Sequence, residues 1–285
     1  MNTTDTSRAR AGRKVMGAQY TRRRVRIRVD AATTVSGVLA APRTSAGAHP
    51  LAHVALVLGH GAGADMTNAF LSAAHAGLAS QGALVLKFNF AYTEAGRRAP
   101  DPPARLVATY RAAAAWLAAR PEARGRALVL GGKSMGGRIA SHLVALGDRA
   151  DGLLFLGYPL HPAGRPATLR DAHLDTIRAP MLFVAGTRDA LCDLALLRPV
   201  LARLGRPASL VVIADGDHSF HVRKSSGRDD AAATAEVIAA CVRWLARLAN
   251  PAAATNASHP APATGERQSP AASSSTARGG TTRAR

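Results

Sequence analysis

Residues 127–137 read Ala-Leu-Val-Leu-Gly-Gly-Lys-Ser-Met-Gly-Gly. The first four are apolar and form a run long enough for a buried parallel strand. The apolar spacing of residues 139–146 is that of a helix packed on a sheet. Gly132 to Gly136 therefore gives a Gly-x-Ser-x-Gly pattern at a predicted strand-to-helix turn, which is the context that a nucleophile elbow around Ser134 requires.

The elbow makes specific demands on its neighbours. Ser134 must adopt a strained backbone conformation so that its hydroxyl stands clear of the sheet, and small residues must flank it because strand and helix nearly touch. The helix N-terminus beyond it offers N–H groups to a developing anion. A phosphate-binding loop is the rival interpretation of Gly-Lys-Ser, but it requires glycine at position 127, where the chain has Ala127 in a predicted strand.

Apolar strands alternate with helical segments along the chain, which predicts an α/β fold with a doubly wound, mostly parallel, eight-stranded sheet. Strands are predicted at residues 25–29, 33–41, 53–59, 83–90, 127–130, 152–156, 181–185 and 210–214, and helices at 69–80, 104–119, 139–146 and 229–249. The connection at residues 158–179 has room for a loop and one helix. We therefore expect no separate lid domain and a site open to solvent.

The 285 residues suit one domain at residues 22–249, with a disordered basic segment at 1–21 and a disordered Ala/Pro/Ser/Thr-rich tail at 250–285. Residues 1–28 hold nine Lys/Arg against one acid, and residues 251–285 hold four against one, so the ends carry more than half of the net charge of +19. No basic face interleaved with aromatic residues is visible, which argues against dedicated nucleic-acid binding.

The number of cysteines and the hydropathy of the sequence indicate the cellular compartment. Cys192 and Cys241 are the only cysteines, and they form neither a metal-ligand spacing nor a disulfide framework. This favours a reducing, cytoplasmic setting and predicts no metal or other cofactor. No apolar run approaches the roughly 20 residues of a membrane span, so no membrane association is expected. The Ala- and Arg-rich composition suits a bacterial source, while the oligomeric state is left open.

A serine nucleophile needs a base, and the base needs a partner that fixes its tautomer. In doubly wound sheets such groups gather at the carboxyl ends of strands. His218 follows the eighth predicted strand and Asp189 the seventh, in the chain order Ser–Asp–His. The competing base is His221. The substitute acids are Asp193, Asp215 and Asp217.

The remaining candidate residues are those expected to bind the oxyanion of the reaction intermediate or the substrate. The N–H of Met135, directly after the nucleophile, and that of Ala62, in the loop after the third strand, are expected to bind the oxyanion. Weaker candidates for contact with an anionic acyl or leaving group are His60, Lys133, Arg97 and Arg98. For the basic side chains, the competing interpretation is that they are solvated surface groups.

At residues 22–249 the chain resembles the α/β-hydrolase fold family. The resemblance is to its compact, lid-poor branch, which includes dienelactone-hydrolase-like proteins and testis-expressed / nonspecific-lethal-complex hydrolase-like domains. Its motifs are at residues 58–64, 87–90, 94–98, 131–138, 157–160, 186–189 and 217–220. Dienelactone hydrolases use a cysteine at the position of Ser134, which argues against that named reaction here.

Together these features predict a serine hydrolase that cleaves a carboxylic ester or thioester of a small molecule through an acyl-enzyme. The resemblance also implies an alternative, because one eukaryotic relative lies in a chromatin complex. In that alternative the chain is a non-catalytic protein-interaction module on a hydrolase scaffold.

Overall fold

The structure is a computed structural model that describes residues 20–43, 49–205 and 208–248. The strands are β1 (Tyr20–Arg28), β2 (Thr34–Pro42), β3 (Val54–Gly59), β4 (Leu84–Phe88), β5 (Ala127–Lys133), β6 (Gly152–Leu156), β7 (Met181–Gly186) and β8 (Ala208–Ile213). The helices are α1 (Ala69–Ser80), α2 (Ala91–Glu94), α3 (Pro103–Ala118), α4 (Met135–Ala145), α5 (Leu194–Leu204) and α6 (Asp230–Leu245).

The eight strands form one sheet in the order β1-β2-β4-β3-β5-β6-β7-β8. Strand β2 pairs antiparallel with β1 and β4, and the pairs from β4 to β8 are parallel. Since parallel strands all end at the same edge, the loops after β3, β5, β7 and β8 converge there. The predicted α/β-hydrolase fold with a mostly parallel eight-stranded sheet is confirmed.

Helices cover both faces of the sheet. Helices α3, α4 and α5 contribute to the core on one face, and α1 and α6 to the core on the other. Strand β3 is buried along its whole length, which explains its continuous apolar sequence. Side-chain caps fix the N-termini of α1 and α6. Asn68 accepts from the Leu71 N–H, and Asp229 accepts from the Ala232 N–H.

Strand β1 lies at the edge of the sheet and differs from the prediction at its start. It begins at Tyr20, which pairs with Pro42, so the last two residues of the predicted disordered segment 1–21 are in a strand. All five of its arginines are exposed, and Arg26 and Arg23 form ion pairs with Glu94 and Glu122. Residues 1–19 and the predicted tail at 250–285 lie outside the described residues, so their disorder stays a prediction.

Two helices were not predicted. Helix α2 has four residues, and α5 has eleven and contains Pro199. The connection between β6 and β7 holds a five-residue 3₁₀ helix at Ala172–Thr176 and no separate lid. Within residues 20–43, 49–205 and 208–248, no helix combines the length and the apolar character that crossing a membrane demands.

Candidate active site

The predicted elbow is built around Ser134, between β5 and α4. Ser134 has φ 50° and ψ −115°, a conformation that residues with a side chain rarely adopt. Gly136 lies against β3 so closely that a Cβ there would be 2.2 Å from the Gly59 carbonyl oxygen. Gly132 has φ 149°, and a Cβ there would also lie 2.2 Å from that oxygen. The close approach explains the glycines, and the strained serine projects its hydroxyl from the sheet edge.

Three side chains from separate loops form a chain of hydrogen bonds. Ser134 Oγ lies 2.8 Å from His218 Nε2. Both carboxylate oxygens of Asp189 lie 2.9 Å from His218 Nδ1. A carboxylate only accepts, so Nδ1 carries the ring proton and Nε2 is free to accept from the serine hydroxyl. This is the arrangement that activates a serine for attack on a carbonyl.

The two loops are themselves fixed by hydrogen bonds. The Asp189 side chain is fully buried and also accepts from the Leu191 N–H at 2.8 Å. Next to His218, Asp217 Oδ1 accepts from the N–H groups of Ser219 at 2.7 Å and His221 at 2.9 Å. These bonds close the loop that carries His218, so the imidazole is held before any substrate arrives.

The competing residues have other hydrogen-bond partners. His221 Nδ1 is 2.7 Å from Asp230 Oδ2, and Asp193 caps α5. Asp215 accepts from Arg223 at 2.7 Å. None of these side chains forms a hydrogen bond with Ser134 or His218 within the residues that the structure describes, so the geometry favours His218 and Asp189 over their alternatives.

Of the two expected oxyanion donors, Ala62 borders the same cavity as Ser134, and Met135 directly follows the serine at the start of α4. Within the described ranges, neither the Ala62 N–H nor the Met135 N–H donates to an acceptor of the protein. A Cβ on Gly61 would lie 3.6 Å from Ser134 Cβ, so the loop before Ala62 runs beside the serine. The cavity has a volume of about 360 Å³ and includes Ala62, Ser134 and His218 in its lining. The two donors are therefore available to an anion at this position.

His60 braces this loop. It is fully buried, and its Nε2 accepts from the Phe90 N–H at 3.1 Å. Its Nδ1 therefore carries the proton and donates to the Gly61 carbonyl oxygen at 2.8 Å. Burial lowers the pKa of His60, which keeps the ring neutral. Both ring nitrogens are thus engaged by the protein, although His60 also lines the cavity, and its predicted contact with substrate stays a prediction.

Arg97 and Arg98 lie apart from the serine. They line a second cavity of about 480 Å³, which shares only Ala64 and Asn68 with the cavity around Ser134. Arg97 also pairs with the buried carboxylate of Asp101 at 2.5 Å. The structure therefore does not bring these arginines to the site, and their predicted contact with substrate stays a prediction.

Lys133 lines the cavity but is buried, with 8 % of its surface exposed. Its Nζ lies 5.9 Å from the centroid of the Phe220 ring, and it forms no hydrogen bond or ion pair with any residue that the structure describes. Burial lowers the pKa of Lys133 to about 8, and Asp189 and Asp217 partly offset that effect. The interpretation of Lys133 as a solvated surface group is therefore wrong.

We expect Lys133→Met to stabilise the protein at neutral pH by on the order of 2 to 3 kcal/mol, because it removes a buried ammonium without a partner. The folded-state pKa of about 8 lies below the ordinary 10.5, so the unfolded chain binds more protons between these values. The cost of burying Lys133 is thus complete below pH 8 and disappears toward pH 10.5. Urea denaturation of both proteins across this range measures the difference.

Lys87→Met is the matched control, because Lys87 is equally buried but donates to Ser72 Oγ at 2.7 Å. Its replacement removes that hydrogen bond, although Ser72 Oγ still donates to the Thr67 carbonyl oxygen at 3.2 Å, and it should stabilise the protein less than Lys133→Met. A Lys133→Met variant that is less stable than the parent at neutral pH would contradict the assignment of an uncompensated ammonium.

One structural residue of the site was missed from the sequence. Tyr110 of α3 is fully buried, and its hydroxyl accepts from the Gly131 N–H at 2.8 Å and lies 2.6 Å from the Gly131 carbonyl oxygen. It thereby anchors the strand that carries Ser134. An aromatic residue in the apolar stripe of a helix looks like any core residue, so the sequence held no signal for this role.

Metal-ligating side chains are dispersed in the structure. Within the described parts of the chain, no three His, Cys, Asp or Glu residues are grouped so that they could hold a metal ion. Cys192 and Cys241 are both free and buried. Burial raises the pKa of each thiol to about 12, so neither is a ready nucleophile.

Comparison with known structures agrees with this fold. A dienelactone hydrolase from Anabaena variabilis is 20% identical with a TM-score of 0.61, over 79% of this chain and 97% of that one. A lid-less α/β serine hydrolase from Xanthomonas campestris is 21% identical with a TM-score of 0.60, over 78% and 94%. A cold-adapted esterase from an Arctic intertidal metagenomic library is 19% identical with a TM-score of 0.57, over 83% and 97%.

The sequence itself provides the assignment to a family. A family model described as an alpha/beta hydrolase domain matches residues 52–246, which is more than half of the chain. The matched region runs from just before β3 to the end of α6, and it contains the elbow and the loops of Asp189 and His218. The chain therefore belongs to the α/β-hydrolase family.

Proposed function

We propose that this protein is a serine hydrolase that cleaves carboxylic esters, or thioesters, of small molecules through a covalent acyl-enzyme. The observation that carries the proposal is the unbroken hydrogen-bond chain from Ser134 through His218 to Asp189, set at a strained elbow. A protein-interaction module has no need for this alignment, so the alternative function gains no support from it.

In the proposed first step, Ser134 Oγ attacks the carbonyl carbon while His218 Nε2 takes its proton. The carbonyl oxygen becomes an anion and accepts hydrogen bonds from the N–H groups of Ala62 and Met135. The imidazolium then donates its proton to the leaving alkoxide or thiolate, and the acyl group remains on Ser134. Asp189 stays ionised throughout, holds the ring and stabilises its positive charge.

In the second step, His218 takes a proton from a water molecule as the water oxygen attacks the acyl carbon. The tetrahedral anion then collapses: the bond to Ser134 Oγ breaks, His218 returns the proton to that oxygen, and the carboxylic acid leaves. The second tetrahedral anion uses the same two N–H donors. The His218 side chain is 21% exposed, so water reaches the imidazole without a lid having to open. Cytoplasmic location and the absence of nucleic-acid and membrane partners stay predictions.

We expect a fluorophosphonate probe to label the folded wild-type protein on Ser134, because the aligned imidazole activates that hydroxyl. Mass spectrometry of the intact and digested protein detects the single adduct and locates it. Ser134→Ala should abolish labelling. The matched control is Ser219→Ala, which removes an exposed hydroxyl from the same cavity and should preserve labelling.

One result would contradict the proposed hydrolase function. Folded wild-type protein that neither reacts with the probe nor hydrolyses p-nitrophenyl acetate faster than Ser134→Ala would refute the proposed function and leave the interaction module as the better interpretation.

A further inference from the structure

An apolar cleft of about 450 Å³ leads away from the cavity around Ser134. It runs between α1 and α6, the two helices on one face of the sheet. The cleft adjoins the catalytic cavity, because four residues line both of them: Ala69, Phe70, Ser219 and His221. It is therefore a neighbouring space that a long substrate group on Ser134 could use.

The walls of the cleft suit a hydrocarbon chain. Phe220 is buried, and its ring centroid lies 5.0 Å from that of Phe70. Ala73 of α1 and Ala235 and Ile238 of α6 also line the cleft. Small side chains on both helices leave room for a ligand, and the walls have little polarity with which to recognise a charged group.

The charged groups at the rim already have partners. Asp230 Oδ2 lies 2.7 Å from His221 Nδ1, and Asp230 Oδ1 accepts from the Val222 N–H at 2.9 Å. This contact keeps both side chains engaged beside the cleft. A polar substrate group entering it would thus have to compete with an existing hydrogen bond.

The geometry of attack indicates which part of the substrate enters. In the tetrahedral intermediate the oxyanion points to Ala62 and Met135, and the leaving oxygen points to His218 Nε2. Helix α1 follows the loop of Ala62, and α6 follows the loop of His218. The cleft lies between these two helices, so it receives the remaining substituent of the reacting carbon, the acyl chain.

We propose that the cleft between α1 and α6 is an acyl subsite that selects esters of unbranched, medium-length aliphatic acids. This proposal rests on the proposed function. The α6 lining runs from Asp230 to Ile238, a span of about 12 Å at the rise of an α-helix, which suits an octanoyl chain. Each methylene buried there should raise kcat/KM about fourfold until the cleft is filled.

The test is a series of p-nitrophenyl esters from acetate through butyrate and hexanoate to octanoate and decanoate. We expect kcat/KM of the wild type to rise to octanoate. Ala235→Trp places a large ring at an exposed position of the cleft. It should lower the octanoate-to-acetate ratio of kcat/KM at least tenfold. The kcat/KM for acetate should stay within about twofold of the wild-type value. Ala73→Phe, on the opposite wall, should act in the same direction.

The matched control is Ala239→Trp, at another exposed position of α6 that does not line the cleft, which should leave the ratio unchanged. Thermal melts verify that every variant is folded. A parallel series of alkyl acetates varies the alcohol chain instead of the acyl chain, and its rates should not respond to Ala235→Trp.

Three results would overturn the acyl subsite: a flat acyl-length profile in an active wild type, folded cleft variants with unchanged octanoate-to-acetate ratios, or a length preference that follows the alcohol chain. Each of these results differs from failure of the proposed function. In that case the wild-type protein neither hydrolyses acetate esters nor reacts with the fluorophosphonate probe, and the acyl subsite is refuted together with the proposed function.

Discussion

Ser134→Ala is expected to lower kcat for p-nitrophenyl acetate at least about a thousandfold, because among the residues that the structure describes no other hydroxyl forms a hydrogen bond with His218. The free energy of unfolding should change by less than about 1 kcal/mol, since the substitution removes one partly exposed oxygen. Steady-state kinetics and urea denaturation of the two proteins measure both quantities. A large loss of activity at constant stability would separate a chemical role from a structural one.

The three members of the hydrogen-bond chain should act as a unit. His218→Ala should be nearly as damaging as Ser134→Ala, and the double variant should be little worse than either, because each change removes the same nucleophile. Asp189→Asn should also be severe, since an amide can donate to Nδ1 and so stabilise the wrong tautomer. His221→Ala serves as the control at a neighbouring histidine, and we expect a change of less than about threefold.

One outcome of these experiments would refute the assignment of His218 as the catalytic base. If His218→Ala retained most of the activity and His221→Ala lost it, the base would be the competing histidine. The side chain of His221, now 2.7 Å from Asp230, would then have to swing into the site during turnover.

Gly136→Ala is expected to have the largest effect on stability. Its Cβ would lie 2.2 Å from the Gly59 carbonyl oxygen and 2.3 Å from the carbonyl carbon, and both atoms belong to backbone that cannot rotate away. Relief requires α4 to move off β3, which disrupts the centre of the sheet. We expect a loss of at least about 4 kcal/mol in the free energy of unfolding, a large part of the stability of a single domain.

Gly164→Ala is the matched control for this experiment. Gly164 has φ +69°, but no atom lies within 4 Å of the position that its Cβ would take. It should cost about 1 kcal/mol through backbone strain alone. Denaturation curves for both variants separate the two effects, and equal costs would show that the contact between α4 and β3 is not the reason for glycine at position 136.

The centre of the fold could be predicted because local sequence determines it. Residues 127–130 are continuously apolar since β5 is buried on both faces, and the glycines around Ser134 are required by contact with Gly59. Ser134, Asp189 and His218 were identifiable because each follows a strand at the same edge of the sheet. The structure brings them together as expected, while their catalytic roles stay predictions.

Other features depend on packing between distant segments. Lys133 sits at the end of a strand, where a long cationic side chain ordinarily reaches water, but here the cavity and Phe220 enclose it. His60 is braced by the Phe90 N–H, thirty residues away, which no local pattern indicates. Helix α5 forms in spite of Pro199, with Asp193 as its N-cap. In each case tertiary contacts outweigh local preference.

The row of arginines on β1 has a consequence for association between copies of the protein at high concentration. An outermost strand exposes hydrogen-bonding groups that could template the same strand of another molecule. Arg22, Arg24 and Arg28 form no ion pair with any residue that the structure describes, so two copies approaching along this side would bring like charges into opposition. We expect this positive border to disfavour a sheet that continues from one molecule to the next.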